Sequence, residues 1–296
     1  MTENNYILSC CSTADVTEEY LVSRDIKWAC FHYMLGDKYC VDDLFKSITP
    51  HEFYQAMVDG ADTKTSQVNV EEYINYFTPM LEAGKDVIHI TLSGGISGAI
   101  NSAQIAAEEL REKFPERKLY IVDSFSASAG YGVLMDKLAD LRDEGYTIDE
   151  LHDWVEANKL NQNTWFFSTD LTFFVKGGRI SKASGWFGTA LNICPLLNVN
   201  CEGKLIPRTK CRGKKMVKKA MIDTMKSLTV DGADYTDSVF ITHSDCLEDA
   251  QDVANLVKET FPNVKKISIS DIGPTIGAHT GPGTVALGFW GKKKEL

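Results

Sequence analysis

Short runs rich in β-branched and aromatic residues alternate with longer amphipathic stretches from one end of this 296-residue chain to the other. That alternation constrains the fold more than any other feature, because strands joined through helices pair in parallel and carry the helices on their faces. The fold class expected is α/β with a largely parallel sheet. Strands are predicted at Tyr6–Cys10, Trp28–Met34, Val87–Leu92, Leu119–Val122, Trp165–Ser168, Val239–Thr242, Ile267–Ser270 and Thr284–Trp290. Helices are predicted at about Asn69–Ala83, Gly98–Lys113, Ser128–Glu144, Ile148–Asn158, Lys214–Leu228 and Leu247–Thr260. In the Lys214 helix, Val217, Met221, Thr224 or Met225 and Leu228 recur at three- and four-residue steps, so one face packs while the lysines stay in water.

A chain of this length exceeds the size at which one hydrophobic core stops growing, which predicts two domains. The polar stretch from Asn158 to Thr164 is the predicted boundary, giving α/β domains at 1–160 and 161–296 with a ligand cleft between them. A net charge of −10 argues against nucleic acid or an anionic membrane surface as partner, since both would be repelled. Thr2, Glu3, Asn4 and Asn5 open the chain without a basic segment leading into an apolar one, and no apolar run reaches a membrane span, so the expected compartment is the cytosol. Eight cysteines show no C-x-x-C and no metal-site spacing, which predicts reduced thiols and no metal; adjacent Cys10 and Cys11 read as a strand end.

Two segments carry the chemistry. From Asp271 to Gly283, one imidazole, His279, sits among four glycines and two prolines. Such a run is expected as a shaped loop rather than a helix or central strand, with His279 presented at a pocket rim. From Val87 to Ala103, a strand runs into the glycine-rich turn Ser93–Gly98 and then a helix whose first amides are free, which is a ready anion site.

Three readings compete for that turn. A dinucleotide fingerprint has serine where its first glycine belongs, with Asp123 imitating the ribose-binding acid. A nucleophile elbow fits Gly95-Ile96-Ser97-Gly98-Ala99 except at its last position, and Ser97, Asp245 and His279 follow the chain order of an α/β-hydrolase triad. The third reading, recognition of an anionic head group without covalent chemistry, needs only hydroxyls, amides and the imidazole. Thr65-Ser66-Gln67 either caps a helix or aims a hydroxyl at the cleft, and Lys176 to Ser181 is either a turn or a contact for a charged partner.

Taken together these residues resemble the DegV family of bacterial fatty-acid-binding proteins, which includes the binding subunits of fatty acid kinase. The similarity spans nearly the whole chain. It rests on Ser12-Thr13-Ala14-Asp15, Thr65-Ser66-Gln67, Ser97-Gly98 with Ser102-Ala103, Val122-Asp123-Ser124, Lys176-Gly177-Gly178-Arg179-Ile180, Asn192 to Leu197, and Gly273 to Gly283. The resemblance implies two α/β domains with a long-chain fatty acid between them. Its carboxylate would be held by Thr65, Ser97 and His279, with Ser66, Gly98, Ser124 and Thr280 as secondary contacts and the acyl chain in an apolar tunnel. It further implies no metal and no cofactor, and a non-enzymatic subunit that presents the lipid to a separate ATP-using fatty acid kinase; a regulatory lipid-binding module is the alternative. The basic run Lys204, Arg208, Lys210, Arg212, Lys214, Lys215, Lys218 and Lys219 is either a solvated face or a dock for that partner. Departures from the usual pattern are Cys11 for an aspartate, Val68 for a proline, Ala99-Ile100-Asn101 for Thr-Tyr-Gln, and Gly185 and Trp186.

Overall fold

The computed structural model describes residues 6–181 and 192–296; Gly185 and Trp186 lie outside the described residues. The first seven strands are β1 (Tyr6–Cys11), β2 (Ile26–Ala29), β3 (His32–Leu35), β4 (Lys38–Val41), β5 (Thr63–Ser66), β6 (Asp86–Thr91) and β7 (Leu119–Asp123). β2, β1, β6 and β7 form an all-parallel sheet in that order. β1 and β6 are buried along nearly their whole lengths, as strands covered on both faces must be. Because the chain goes from β1 out to β2 and returns on the other side at β6, the carboxyl ends of β1 and β6 flank a topological switch point, where open α/β sheets bind ligands.

The remaining strands are β8 (Gln162–Ser168), β9 (Ile193–Val199), β10 (Leu205–Arg212), β11 (Ser238–His243), β12 (Lys266–Asp271) and β13 (Thr284–Trp290), ordered β10-β9-β8-β13-β11-β12. This sheet corrects the expectation of largely parallel pairing: only β11 and β12 run parallel, and the other four pairs are antiparallel. β9 and β10 went unpredicted as strands. β10 is an edge strand with Pro207 and mostly exposed basic residues, so it lacks the apolar alternation that marks a strand.

The predicted strand Trp28–Met34 is two strands. It breaks at Cys30 and Phe31, and its second half leaves the parallel sheet for a small antiparallel one, β4-β3-β5. The helix Pro50–Val58 below that sheet was not predicted either, although Thr49 and Glu52 form a capping box around Pro50 at the first helical position. The six predicted helices are all present within a residue or two of their expected ends. Helix Ser128–Asp143 is buried nearly all round and packs on β8, β11 and β13 as well as on β1, so one apolar cluster runs through both large sheets. Between the two sheets in sequence, the chain turns through Lys159–Asn161 directly into β8.

The Asp271–Gly283 run is not a loop throughout. Asp271 ends β12, and Pro274–Thr280 is a helix. Pro274 occupies the first helical position, where its missing N–H has no intrahelical role, so it starts the helix rather than preventing it. Gly281 ends it at φ +65 and ψ −179, a region open almost solely to glycine. No helix among the described residues is long and apolar enough to cross a membrane. All eight cysteines are free thiols.

Candidate functional site

Strand β5 alternates as a half-buried strand should, with Thr63 and Thr65 turned inward while Lys64 and Ser66 face solvent. The Thr65 hydroxyl lies 2.8 Å from Nε2 of His279, which stands in the last turn of helix Pro274–Thr280. Thr63 Oγ1 donates to Ala278 O at 3.3 Å, so strand and helix are tied at two adjacent points.

The other ring nitrogen, His279 Nδ1, is buried without a hydrogen-bond partner and packs against the backbone of Gly177, where a side-chain carbon would collide with it. An orphaned N–H costs more than an orphaned lone pair in such surroundings, which favours the tautomer protonated on Nε2. Nε2–H then donates to Thr65 Oγ1, and the Thr65 hydroxyl proton is free to point into the space beyond. Burial, aided by the Arg179 cation, lowers the His279 pKa to about 4, so the ring is a neutral donor near pH 7.

Ser97 lies in the turn between β6 and helix Ala99–Lys113. Its Oγ accepts from Ala99 N at 3.2 Å, which leaves its own proton available to a ligand. The turn is held firmly from below. Gly94 N donates to Asp123 Oδ2 at 3.0 Å, Gly95 N donates to Ser93 Oγ at 3.1 Å, and Ser93 Oγ donates to Gly203 O in the β9–β10 connection at 2.9 Å. Gln67 Nε2 donates to Ser102 Oγ at 2.9 Å, joining the start of that helix to the segment after β5.

Thr65, Ser97 and His279 all line one cavity of about 350 Å³. Most of its remaining wall is apolar, including Phe31, Leu92, Ile96, Phe166 and Phe174, and Gly98 and Thr280 also border it. The volume falls within the range of about 300 to 1,000 Å³ typical of small-molecule sites. Ser66 and Ser124 do not reach it. Ser66 is on the solvent side of β5, and Ser124 is spent on its own turn, donating to Ser126 O and accepting from Ser126 N.

Arg179 also lines this cavity, a residue the sequence had placed only in a turn or charged contact. It follows helix Thr172–Lys176, donates to Gly177 O and has no carboxylate partner among the described residues. Its burial lowers its pKa, as expected for a cation held partly out of water. Lys176, its neighbour in the motif, is instead paired with Asp62 at the surface.

The two catalytic readings of the turn fail on geometry. Asp123 is consumed by Gly94 N and Phe125 N, so it braces the turn instead of awaiting a ribose. Asp245 pairs with His51 Nδ1 at 2.9 Å on the surface, and no acid among the described residues orients His279, so no Ser97–His279–Asp245 triad is assembled. No group of three or more His, Cys, Asp or Glu side chains among the described residues could hold a metal ion. Within the basic run, Lys204 pairs with Glu202, Lys214 and Lys218 pair with Asp249, and Arg208 binds Asn198 and Leu296 O.

The α/β scaffold thus carries, near its switch point, a mostly apolar cavity whose wall holds neutral donors and one guanidinium with no carboxylate partner among the described residues. The sequence matches the DegV family profile over residues 11–292, and the chain belongs to that family. It is 36% identical over 285 residues to a DegV domain-containing protein of Clostridium perfringens, covering 96% of this chain and 97% of that protein. It is 30% identical over 282 residues to a fatty acid-binding protein of Thermotoga maritima, covering 94% and 95%. Among solved structures, a stearic acid-binding protein from Eubacterium ventriosum superposes with a TM-score of 0.87 at 25% identity, covering 97% of this chain and 98% of that one.

Proposed function

We propose that this protein binds one long-chain fatty acid, with the carboxylate at Thr65, Ser97 and His279 and the acyl chain in the apolar cavity. The observation that carries this reading is the 2.8 Å contact between Thr65 and a neutral, buried His279 at the wall of a cavity that is otherwise mostly apolar. A carboxylate leaving water needs several donors, and the Thr65 and Ser97 hydroxyls, polarised by His279 Nε2–H and Ala99 N, supply them. Arg179 adds the countercharge. Burial of the chain at about 0.8 kcal/mol per methylene supplies the affinity.

A buried tail with the carboxylate held by donors on the cavity wall suits presentation of that carboxylate to a separate ATP-using kinase, the role implied by the DegV resemblance, and Arg179 would steady the added negative charge. Delipidated protein should take up palmitate, and Ser97→Ala or His279→Ala should each weaken uptake by roughly 1 to 3 kcal/mol, the scale of a lost buried hydrogen bond. Unchanged affinity in both variants would remove them from the site. Acyl phosphate formed only when the loaded protein, ATP and a fatty acid kinase catalytic subunit are combined would support presentation; its absence would leave a regulatory lipid-binding module.

A further inference from the structure

Helix Pro274–Thr280 is seated by two carboxylates that lie outside the cavity wall. Asp15, in the turn after β1, accepts from Gly273 N at 3.0 Å. Asp42, just after β4, accepts from Thr275 N at 3.3 Å. Both are buried, at 3% and 0% exposure, and they close on the same glycine: a side-chain carbon on Gly273 would lie 2.9 Å from Asp15 Oδ1 and 3.5 Å from Asp42 Oδ1. No lysine or arginine is paired with either among the described residues.

Their remaining oxygens, Asp15 Oδ2 and Asp42 Oδ1, have no hydrogen-bond partner, and neither do the buried hydroxyls of Thr13 and Thr275. Ser12, Ser128 and Thr275 hydroxyls stand near the two carboxylates without completing their shells. The other titratable groups facing them are Asp271 at the end of β12, Tyr54 of helix Pro50–Val58, and Cys30 and Tyr33 beside Asp42, with Glu18, Glu19 and Lys46 on the surface pocket that Asp15 borders. Lys46 is the one cation among these, and it is paired with Glu18. Asp15 caps the short turn Ser12–Ala14 at φ +51, in the left-handed region that aspartate enters more readily than most non-glycine residues.

Two buried carboxylates converging on one glycine without a cation cannot both be ionised at a tolerable cost. We propose that Asp15 and Asp42 carry a single negative charge between them and act as positioning residues, seating Gly273 and Thr275 so that helix Pro274–Thr280 presents His279 to Thr65. Protonating one partner removes the repulsion an ionised pair would suffer, and both backbone amides keep their acceptors. Burial, the larger cause, and the neighbouring carboxylate both push the Asp15 carboxyl well above the usual range, and burial pushes Asp42 up as well. The value of this arrangement to ligand binding rests on the carboxylate site proposed above, but the arrangement itself does not.

The test uses ligand-free, full-length protein labelled with ¹³C at the aspartate carboxyls, with Asp15→Asn and Asp42→Asn assigning the signals. The pair should titrate in two well-separated steps, one of them well above the ordinary aspartate range, and Asp42→Asn should lower the midpoint of Asp15 toward that range. In the same samples, Asp42→Ala should shift the His279 ring resonances and weaken palmitate binding about tenfold, while the isosteric Asp42→Asn restores both. Two carboxyls titrating independently within the ordinary aspartate range, or His279 resonances identical in wild type and Asp42→Ala, would overturn the assignment. Should Asp42→Ala fail to fold, the Asp15 midpoint in Asp42→Asn still decides. A protein that shows the coupled titration and takes up no palmitate would retain the positioning pair and lose the fatty-acid reading.

Discussion

At the residue scale the site turns on one neutral imidazole. His279 is held at a pKa of about 4 by burial and by Arg179, against 6.5 when free, so between those values the unfolded chain binds the extra proton and the folded one does not. Stability therefore falls as pH drops through that window. His89, buried in the first sheet between Ser9 Oγ and Cys11 Sγ and lowered to about 3, adds to the same loss. Buried Asp15 and Asp42, whose carboxyls are pushed up, act in the opposite sense, so the comparison is between variants: the change in thermal midpoint from pH 7 to pH 4 should be less unfavourable in His279→Asn than in wild type. Equal changes in the two would contradict the neutral-donor assignment. That Ser97 and His279 border one cavity was foreshadowed by a hydroxyl and an imidazole set among glycines, whereas Thr65, with no glycine beside it, was assigned to the carboxylate only through the family resemblance. Asp42 was not foreshadowed, since the pair Asp42-Asp43 after an exposed edge strand reads as ordinary surface charge, and the meaning of Asp42 arises only when the chain folds it against Gly273.

At the scale of elements, what the sequence revealed depended on how each element meets water. Helices Lys214–Leu228 and Leu247–Thr260 have one buried face and one wet face, so their period could be counted. Strands β4 and β10 lie at edges with burial too shallow to write an alternation, and β5, though it alternates, is only four residues long. The Gly/Pro segment was recognised as the place that presents His279, but its form was misjudged, because composition alone does not distinguish proline starting a helix from proline breaking one. Gly281 is the tightest point of that element: it combines a positive φ with close packing against the Phe173 ring. Gly281→Ala should destabilise the protein by at least about 1 kcal/mol, read as a lowered urea midpoint with unchanged slope, and should weaken fatty-acid binding by displacing His279. An unchanged midpoint would show that the helix end tolerates a side chain and that this constraint is not needed.

At the scale of the whole molecule, two sheets of different character share one apolar cluster through helix Ser128–Asp143, and the cavity draws its wall from both. Thr65 comes from the small sheet, Ser97 from the turn after β6, and Phe166 and Thr284 from the second sheet, so the cavity wall assembles only in the complete fold. Long, distributed construction of this kind explains why the fold class was readable from alternation while the mixed pairing of the second sheet was not: antiparallel register depends on which distant strands meet. The central claim is that this shared cavity holds a fatty acid. Protein purified natively from bacterial cells and then denatured for mass spectrometry should release long-chain fatty acid at close to one molecule per chain; release of none, together with no uptake when the delipidated protein is incubated with palmitate, would contradict the account.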